Sequence, residues 1–142
     1  MTSKRTDRLI TRCDELDVDG LIVTGEANRR YLSGFTGSAG TLLIGANARQ
    51  LVTDSRYTEQ AGRQAIDYDV IESVELLQEI KSWVVLLGIR RLGIESEHTS
   101  VKQLQVLTDF LSAEQSSVTL VPLEGVVEAQ RVVKDKTELS LL

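Results

Sequence analysis

Apolar residues recur along the chain with helical and strand periods in alternation. Residues 6–17 place apolar side chains at helical spacing with charged residues between them, which predicts an amphipathic helix covering a sheet. The run Gly20–Gly25 is apolar and bracketed by glycines, as is typical of a strand buried on both faces. Two further apolar runs flank a short loop and predict an antiparallel hairpin, with strands near Thr41–Ile44 and Gln50–Thr53.

The same alternation continues to residue 123. The pattern predicts a helix at 56–65, a strand at 68–73, a helix at 74–87, a strand at 91–95, a helix from 101 and a strand at 118–123. We expect Trp83 at the edge of its helix, and Ser100 with Gln103 matches a capping box. Pro122 cannot donate to a ladder, so the last strand belongs at the sheet margin. The predicted fold class is α/β, a mixed, mainly parallel sheet with a β-hairpin and helices on both faces.

Composition narrows the classes of function. The chain has 142 residues and a formal charge of −5, and its sixteen Lys and Arg are scattered, so no nucleic-acid partner is expected. No apolar run reaches the roughly 20 residues of a bilayer span, and the N-terminus MTSKRTDRL is charged, so we expect a cytoplasmic protein without membrane attachment. Cys13 and His98 are single residues of their types, which excludes an internal disulfide and a Cys/His zinc cage.

The last residues indicate that another unit follows. Asp135 followed by Glu138 resembles a helix N-cap with its reciprocal acid, immediately before LSLL. We therefore expect the natural protein to continue, with a first domain at 1–131. Residues 132–142 would then be a linker and the start of the next domain's first helix.

Isolated polar residues offer weak signals for chemistry. Asp54 follows a strand, where α/β sheets place ligand-handling groups, but it can equally cap the next helix. A phosphoryl-receiver module is excluded because its partner acids and lysine are missing. His98 follows Glu95 and Glu97, yet one short stretch is a poor metal site, so a solvated loop histidine is the favoured interpretation. Ser38 has no histidine base within a recognisable motif. We predict no catalytic residue and no metal site in this chain.

The stretch RYLSGFTGSAG is glycine-rich without being a phosphate loop. Gly34, Gly37 and Gly40 are spaced G-x-x-G-x-x-G, lack the Lys-Ser/Thr of a P-loop and precede a strand. Glycines permit unusual backbone angles and close approach, and Tyr31 and Phe35 can supply flat apolar surface at a rim. The pattern indicates a contact surface or pocket wall.

Four segments together resemble a known family. NRRYLSGFTGSAGTLLI, LVTDSRYTEQA, LGIE and VPLEGVVEAQRVVKDKTELSLL occur in the order seen in the N-terminal domain of creatinase, the Xaa-Pro aminopeptidases and the prolidases. The resemblance covers nearly the whole chain. It implies a domain of ribonuclease-H-like layout, followed along the polypeptide by a pita-bread catalytic domain.

The resemblance also implies a function. In this family the catalytic domain holds two divalent metals, often manganese, zinc or cobalt, through two aspartates, one histidine and two glutamates, and none of these ligands matches a motif here. The chain would then be a non-catalytic accessory domain of an Xaa-Pro metallopeptidase, a hydrolase of peptides with proline at the second position. Its partners would be the C-terminal catalytic domain of the same polypeptide and a second copy of the protein in a homodimer. In that homodimer it would contribute to the substrate entrance of the neighbouring subunit.

The family motifs point to particular residues. By resemblance, the candidates for substrate-entrance or partner contact are Tyr31, Phe35, Ser38, Arg56 and Tyr57, and the structural loop positions are Gly34, Gly37, Gly40 and Asp54. Phe35 is expected to form an apolar wall, and Arg56 to pair with a carboxylate through its planar fork or, alternatively, with Asp54 or a helix end. Two other functions stay open at this point. One is a self-sufficient module that binds a small ligand or protein partner at 31–40, and the other is the N-terminal domain of a creatinase-like amidinohydrolase.

Overall fold

Six helices and six strands are found in a computed structural model that describes residues 2–112 and 117–133. Helices and strands alternate except at the β2–β3 hairpin. Their bounds are α1 (Thr2–Glu15), β1 (Gly20–Val23), α2 (Glu26–Ser33), β2 (Thr41–Gly45), β3 (Arg49–Thr53), α3 (Thr58–Gln64), β4 (Asp69–Glu72), α4 (Leu76–Leu87), β5 (Arg91–Glu95), α5 (Val101–Ser112), β6 (Thr119–Leu123) and α6 (Val126–Val132). The predicted helix after Asp135 lies outside the described residues, and the domain boundary at 131 stays a prediction.

The strands form one mixed sheet in the order β4-β3-β2-β1-β5-β6. Strand β2 pairs antiparallel with β1 and β3, whereas β1–β5, β3–β4 and β5–β6 are parallel pairs. The predicted hairpin and the mixed, mainly parallel sheet are confirmed. β6 is an edge strand, and Pro122 lies within it opposite Ile94, which confirms the marginal position expected for proline.

Helices cover both faces of the sheet, as the sequence predicts. Successive side chains of a strand point to opposite faces. Leu21 and Val23 of β1 therefore pack in a core with α1, α2, α3 and α6, while Ile22 packs in a second core with α4 and α5. The two-residue period of each strand thus divides the hydrophobic residues between two cores.

Trp83 is a central residue of the second core, so the prediction of an edge position is wrong. Its side chain is 2% exposed. A Cβ on Gly20 would lie 3.0 Å from Cη2 of the indole ring, so this glycine leaves the space that the ring needs. Helical periodicity identified the buried face of α4 correctly at Ile80 and Val84, and Trp83, three residues after Ile80, lies on that same face.

Helix α2 has no counterpart among the predicted elements. It ends at Gly34, whose left-handed backbone (φ 82°) lets its N–H donate to the Arg30 carbonyl. Three of the residues that α2 buries are polar, namely Asn28, Arg29 and Ser33. Because polar side chains occupy the inward face, the segment lacks the hydrophobic periodicity by which the other helices were predicted.

The predicted cap of α5 is confirmed. The Gln103 backbone N–H donates to Ser100 Oγ at 3.0 Å, and the Ser100 N–H donates to Gln103 Oε1 at 2.8 Å. This reciprocal pair satisfies two of the donors that a helix start leaves free. It fixes the point at which α5 leaves the carboxyl end of β5.

Candidate functional site

The glycine-rich loop between α2 and β2 is built around the buried ring of Phe35. Its side chain is 1% exposed and meets the Tyr57 ring edge to face, with centroids 5.9 Å apart and planes at 84°. A Cβ on Gly37 would lie 2.8 and 2.9 Å from two ring carbons of Phe35, and one on Gly40 would lie 3.1 Å from Cε2. The close approach that the glycines permit is therefore to Phe35 of the same chain. The prediction that Phe35 forms an exposed wall is wrong, because the ring belongs to the core.

Around this ring, Ser38, Asp54, Arg56 and Tyr57 form one surface group, which we call the Tyr57 cluster. Ser38 Oγ and the Tyr57 hydroxyl lie 2.5 Å apart, and the Arg56 guanidinium lies 5.2 Å from the Tyr57 ring centroid. Asp54, Arg56 and Tyr57 follow Thr53, the last residue of β3. Ser38 precedes β2, whose first residue, Thr41, pairs with Val52 near the end of β3. The structure thus brings together four of the sequence-predicted site residues at the carboxyl end of one strand.

Arg56 pairs with Asp54, as the alternative interpretation of this arginine proposed. Nε donates to Oδ1 at 3.0 Å and Nη2 to Oδ2 at 2.8 Å, while the Arg56 backbone N–H donates to Oδ1 at 3.0 Å. The side-chain hydrogen bond from Arg56 lowers the pKa of Asp54. Asp54 therefore caps the turn before α3 and holds the guanidinium in a fixed orientation on the surface, where the Arg56 side chain is 68% exposed.

Tyr31 lies apart from the Tyr57 cluster, against α1 and α6. The Arg5 guanidinium lies 4.4 Å from its ring centroid, and Gln130 Nε2 donates to its hydroxyl at 3.3 Å. The residue thus connects the end of α2 to two neighbouring helices. The sequence motif that groups Tyr31 with Phe35 and Ser38 spans two separate surfaces of the fold.

A polar network that sequence reasoning missed joins β5, α2 and α6. Glu95, 7% exposed, accepts hydrogen bonds on Oε1 from the backbone N–H groups of Thr24 and Gly25, at 2.7 and 3.0 Å, and on Oε2 from Asn28 Nδ2 at 2.6 Å. Glu128 Oε2 accepts from Asn28 Nδ2 at 3.0 Å and lies 2.7 Å from His98 Nε2. The pattern Glu-x-x-His at 95–98 was visible in the sequence, but Asn28 and Glu128 come from distant elements.

The environment of this network shifts two pKa values. The hydrogen bond with Glu128 raises the pKa of His98. For Glu128, burial favours the neutral acid, but hydrogen bonds from His98 and Asn28 outweigh burial and lower the pKa. Each shift favours the charged form of its group, so pairing stabilises an imidazolium beside a carboxylate. His98 is thus a paired residue instead of the solvated loop histidine that was expected.

Glu95, His98 and Glu128 place one ligand atom each within 4.8 Å of one another. Three donors of this kind do not fit the two-metal centre that the family resemblance implies, with its five ligands. N–H donors from Asn28, Thr24 and Gly25 also point at the oxygens that a cation would need. The arrangement is that of a hydrogen-bonded tie between elements.

Buried Arg29 supports the same corner of the fold. Its Nη1 donates to the Thr24 carbonyl at 2.8 Å and its Nη2 to the Gly37 carbonyl at 3.2 Å. Burial lowers the pKa of this guanidinium. Arg29 therefore connects the turn after β1 to the glycine-rich loop.

The chemistry available in the Tyr57 cluster is binding. The hydroxyl of Ser38 is paired with the Tyr57 hydroxyl and not with a histidine or a carboxylate, so this pair lacks the general base that activates a serine nucleophile. Cys13 lies in the core, where burial raises the pKa of its thiol to about 11. Across residues 2–112 and 117–133, no helix is both long enough and apolar enough to cross a bilayer.

Comparison with known proteins gives the same family over nearly the whole chain. Residues 5–133 match the Creatinase/Prolidase N-terminal domain. The uncharacterized peptidase YqhT of Bacillus subtilis is 34% identical over 139 residues, which cover 97% of this chain and 38% of that protein.

Solved structures extend the likeness to the fold. The Xaa-Pro dipeptidase from Bacillus anthracis superposes with a TM-score of 0.88 at 31% identity, covering 100% of this chain and 39% of that one. The N-terminal domain of the cytoplasmic peptidase PepQ from Mycobacterium tuberculosis gives 0.83 at 33% identity, covering 90% of this chain and 98% of that one. The chain thus spans about two fifths of the longer relatives and nearly all of an isolated N-terminal domain. The chain belongs to the Creatinase/Prolidase N-terminal domain family.

Proposed function

We propose that this chain is the non-catalytic N-terminal domain of an Xaa-Pro peptidase, and that hydrolysis takes place in a catalytic domain joined to its C-terminal end. The observation that carries the proposal is the match over residues 5–133 to a domain that occupies about two fifths of an Xaa-Pro dipeptidase. Residues 132–142 would form the linker and the first helical turn of the catalytic domain.

The proposed reaction is hydrolysis of the peptide bond before proline in the cytoplasm. Two divalent metals, manganese, zinc or cobalt, would activate the attacking water in the catalytic domain. This chain would supply no metal ligand. Its contribution would be to shape the substrate entrance and the contact between two subunits of a homodimer.

We assign the Tyr57 cluster to the entrance. Arg56 is the residue best suited to substrate because its guanidinium is exposed, rigidly oriented by Asp54 and supported by the Tyr57 ring. A planar guanidinium can bind the carboxylate of a short peptide through parallel hydrogen bonds. Ser38 and Tyr57 would line the same rim. Tyr31, on the α1 and α6 side, would contact the partner or the catalytic domain.

The experiment compares residues 1–142 with the longer natural product on Xaa-Pro dipeptides, after addition of manganese, zinc or cobalt. We expect the short form to be inactive and the long form to be active. In the long form, Arg56→Ala should raise KM about tenfold, the effect of removing a charge-assisted hydrogen bond. Arg63→Ala is the matched control, since Arg63 is also an exposed arginine, on the neighbouring helix α3.

Three outcomes would contradict the proposal. Hydrolysis by residues 1–142 would overturn the non-catalytic role. Equal KM values for the Arg56 and Arg63 variants would show that the Tyr57 cluster does not contribute to substrate binding at the entrance. A long form that does not cleave Xaa-Pro dipeptides but hydrolyses creatine would favour the amidinohydrolase alternative.

A further inference from the structure

The face of the sheet that carries α4 and α5 is incompletely covered. Six strands about 4.8 Å apart give a sheet about 24 Å wide, whereas two helices of about 10 Å diameter cover about 20 Å of it. A cavity of about 390 Å³ lies between the N-terminal halves of these two helices. Its volume falls in the range of about 300–1,000 Å³ that is usual for small-molecule sites.

The cavity has an aliphatic body. Ile22 of β1 and Ile94 of β5 form the floor, and Ile80 of α4 and Leu107 of α5 stand at the walls. Val106, 42% exposed, also lines it and leaves apolar surface in contact with solvent. These walls offer aliphatic carbon and no backbone edge, so amide groups of a peptide would be buried there without hydrogen-bond partners, at a cost.

One end of the cavity is polar. Thr24, His98, Thr99, Ser100, Lys102 and Gln103 lie there, after the carboxyl ends of the parallel strands β1 and β5. Open α/β sheets bind their ligands at this edge. The sequence thus gives the cavity an apolar body and a single polar mouth.

Lys102 supplies a positive charge at the mouth. Among the described residues, Lys102 and His98 are the ionisable ones that line the cavity, and no carboxylate lines it, although the chain carries a net charge of −5. The His98 ring is engaged with Glu128, so the Lys102 ammonium is the charge directed to a ligand. Its side chain is exposed and makes no ion pair with a described carboxylate.

We propose that this cavity binds a small carboxylate with a hydrocarbon body, of the medium-chain fatty-acid class. The hydrocarbon chain of the ligand lies between α4 and α5 over Ile22 and Ile94, and its carboxylate lies near Lys102. The site is on the opposite face of the sheet from α3 and Phe35, so it is separate from the Tyr57 cluster.

The test is a titration of residues 1–142 with decanoate, followed by methyl NMR. The chain is suitable because a separately solved N-terminal domain of similar extent superposes on it over 90% of its length. We expect saturable shifts at the methyl groups of Ile80 and Ile94. Decylamine, with the same chain length and the opposite charge, should bind at least about fivefold more weakly.

Matched variants locate the site. Val106→Trp fills the cavity and should weaken decanoate binding at least about tenfold, whereas Val85→Trp, at an exposed valine of α4, should leave it unchanged. Lys102→Glu should weaken binding about fivefold, and Lys4→Glu, the same charge change on α1, should not.

The proposal fails if decanoate causes no saturable shifts, or if Val106→Trp binds as well as Val85→Trp. Equal affinities for decylamine and decanoate would show that the site does not select an anionic head group. Tighter binding of the apolar peptide acetyl-dileucine than of decanoate would show that the cavity prefers a peptide to a hydrocarbon chain.

Discussion

Replacing Gly37 by alanine tests whether the glycine-rich loop exists to bury Phe35. The added Cβ would lie 2.8 and 2.9 Å from two ring carbons of Phe35 and closer still to Cζ. The ring cannot simply move outward, because it is 1% exposed and packs against Tyr57. Overpacking of this kind costs about 1–3 kcal/mol. We expect Gly37→Ala to lower the free energy of unfolding by about that amount.

The matched control is Gly62→Ala, in α3. A Cβ at Gly62 would meet nothing within 4 Å. Since alanine favours a helix by about 1 kcal/mol over glycine, this variant should be as stable as the wild type or up to about 1 kcal/mol more stable. The same chemical change should therefore have opposite effects at the two positions.

A double-mutant cycle with Phe35→Leu identifies the clash. Leucine lacks the ring tip, so Phe35→Leu alone should destabilise through lost packing, yet it should relieve Gly37→Ala. We expect a coupling energy of at least about 1 kcal/mol from urea unfolding of the four proteins. The reasoning is refuted if Gly37→Ala matches Gly62→Ala, or if the two substitutions are simply additive.

Three further predictions concern Glu95, the His98–Glu128 pair and Cys13. Glu95→Ala leaves the donors of Thr24, Gly25 and Asn28 unpaired and should cost at least about 2 kcal/mol in urea unfolding, whereas Glu95→Gln should cost less; equal losses would contradict this. The His98–Glu128 pair should stabilise fully between about pH 4.5 and 6.5, the ordinary values of the two groups. Its contribution is lost as pH rises through the raised pKa of His98 and as pH falls through the lowered pKa of Glu128. The stability difference between wild type and His98→Gln should follow this profile, at up to about 1 kcal/mol, and a flat difference would be inconsistent with it. Cys13, with its thiol pKa raised to about 11, should react with a disulfide reagent at pH 8 only at the rate of unfolding, and rapid labelling of the native protein would argue against its burial.

The alternation of strands and helices could be predicted because each element that packs on a core repeats its apolar residues with its own period. The hairpin at 41–53, the strand at 91–95 and the Ser100 cap follow from local patterns and are all found in the structure. Helix α2 could not be predicted in this way, since the face it buries is polar. Its inward Asn28 side chain is hydrogen-bonded to residues as far as about a hundred positions away, as in the Asn28–Glu128 contact.

The sequence by itself determined the fold class, the family and the residues that carry the family motifs, because these depend on composition and local order. Only the tertiary structure decided what the motif residues do. It turned Phe35 inward, joined Ser38 to Tyr57 across nineteen positions, and paired His98 with Glu128 thirty positions away. It also opened the cavity between α4 and α5. The physical reason is that contact between elements depends on the packing of a whole sheet, whereas a motif records only which residues are neighbours along the chain.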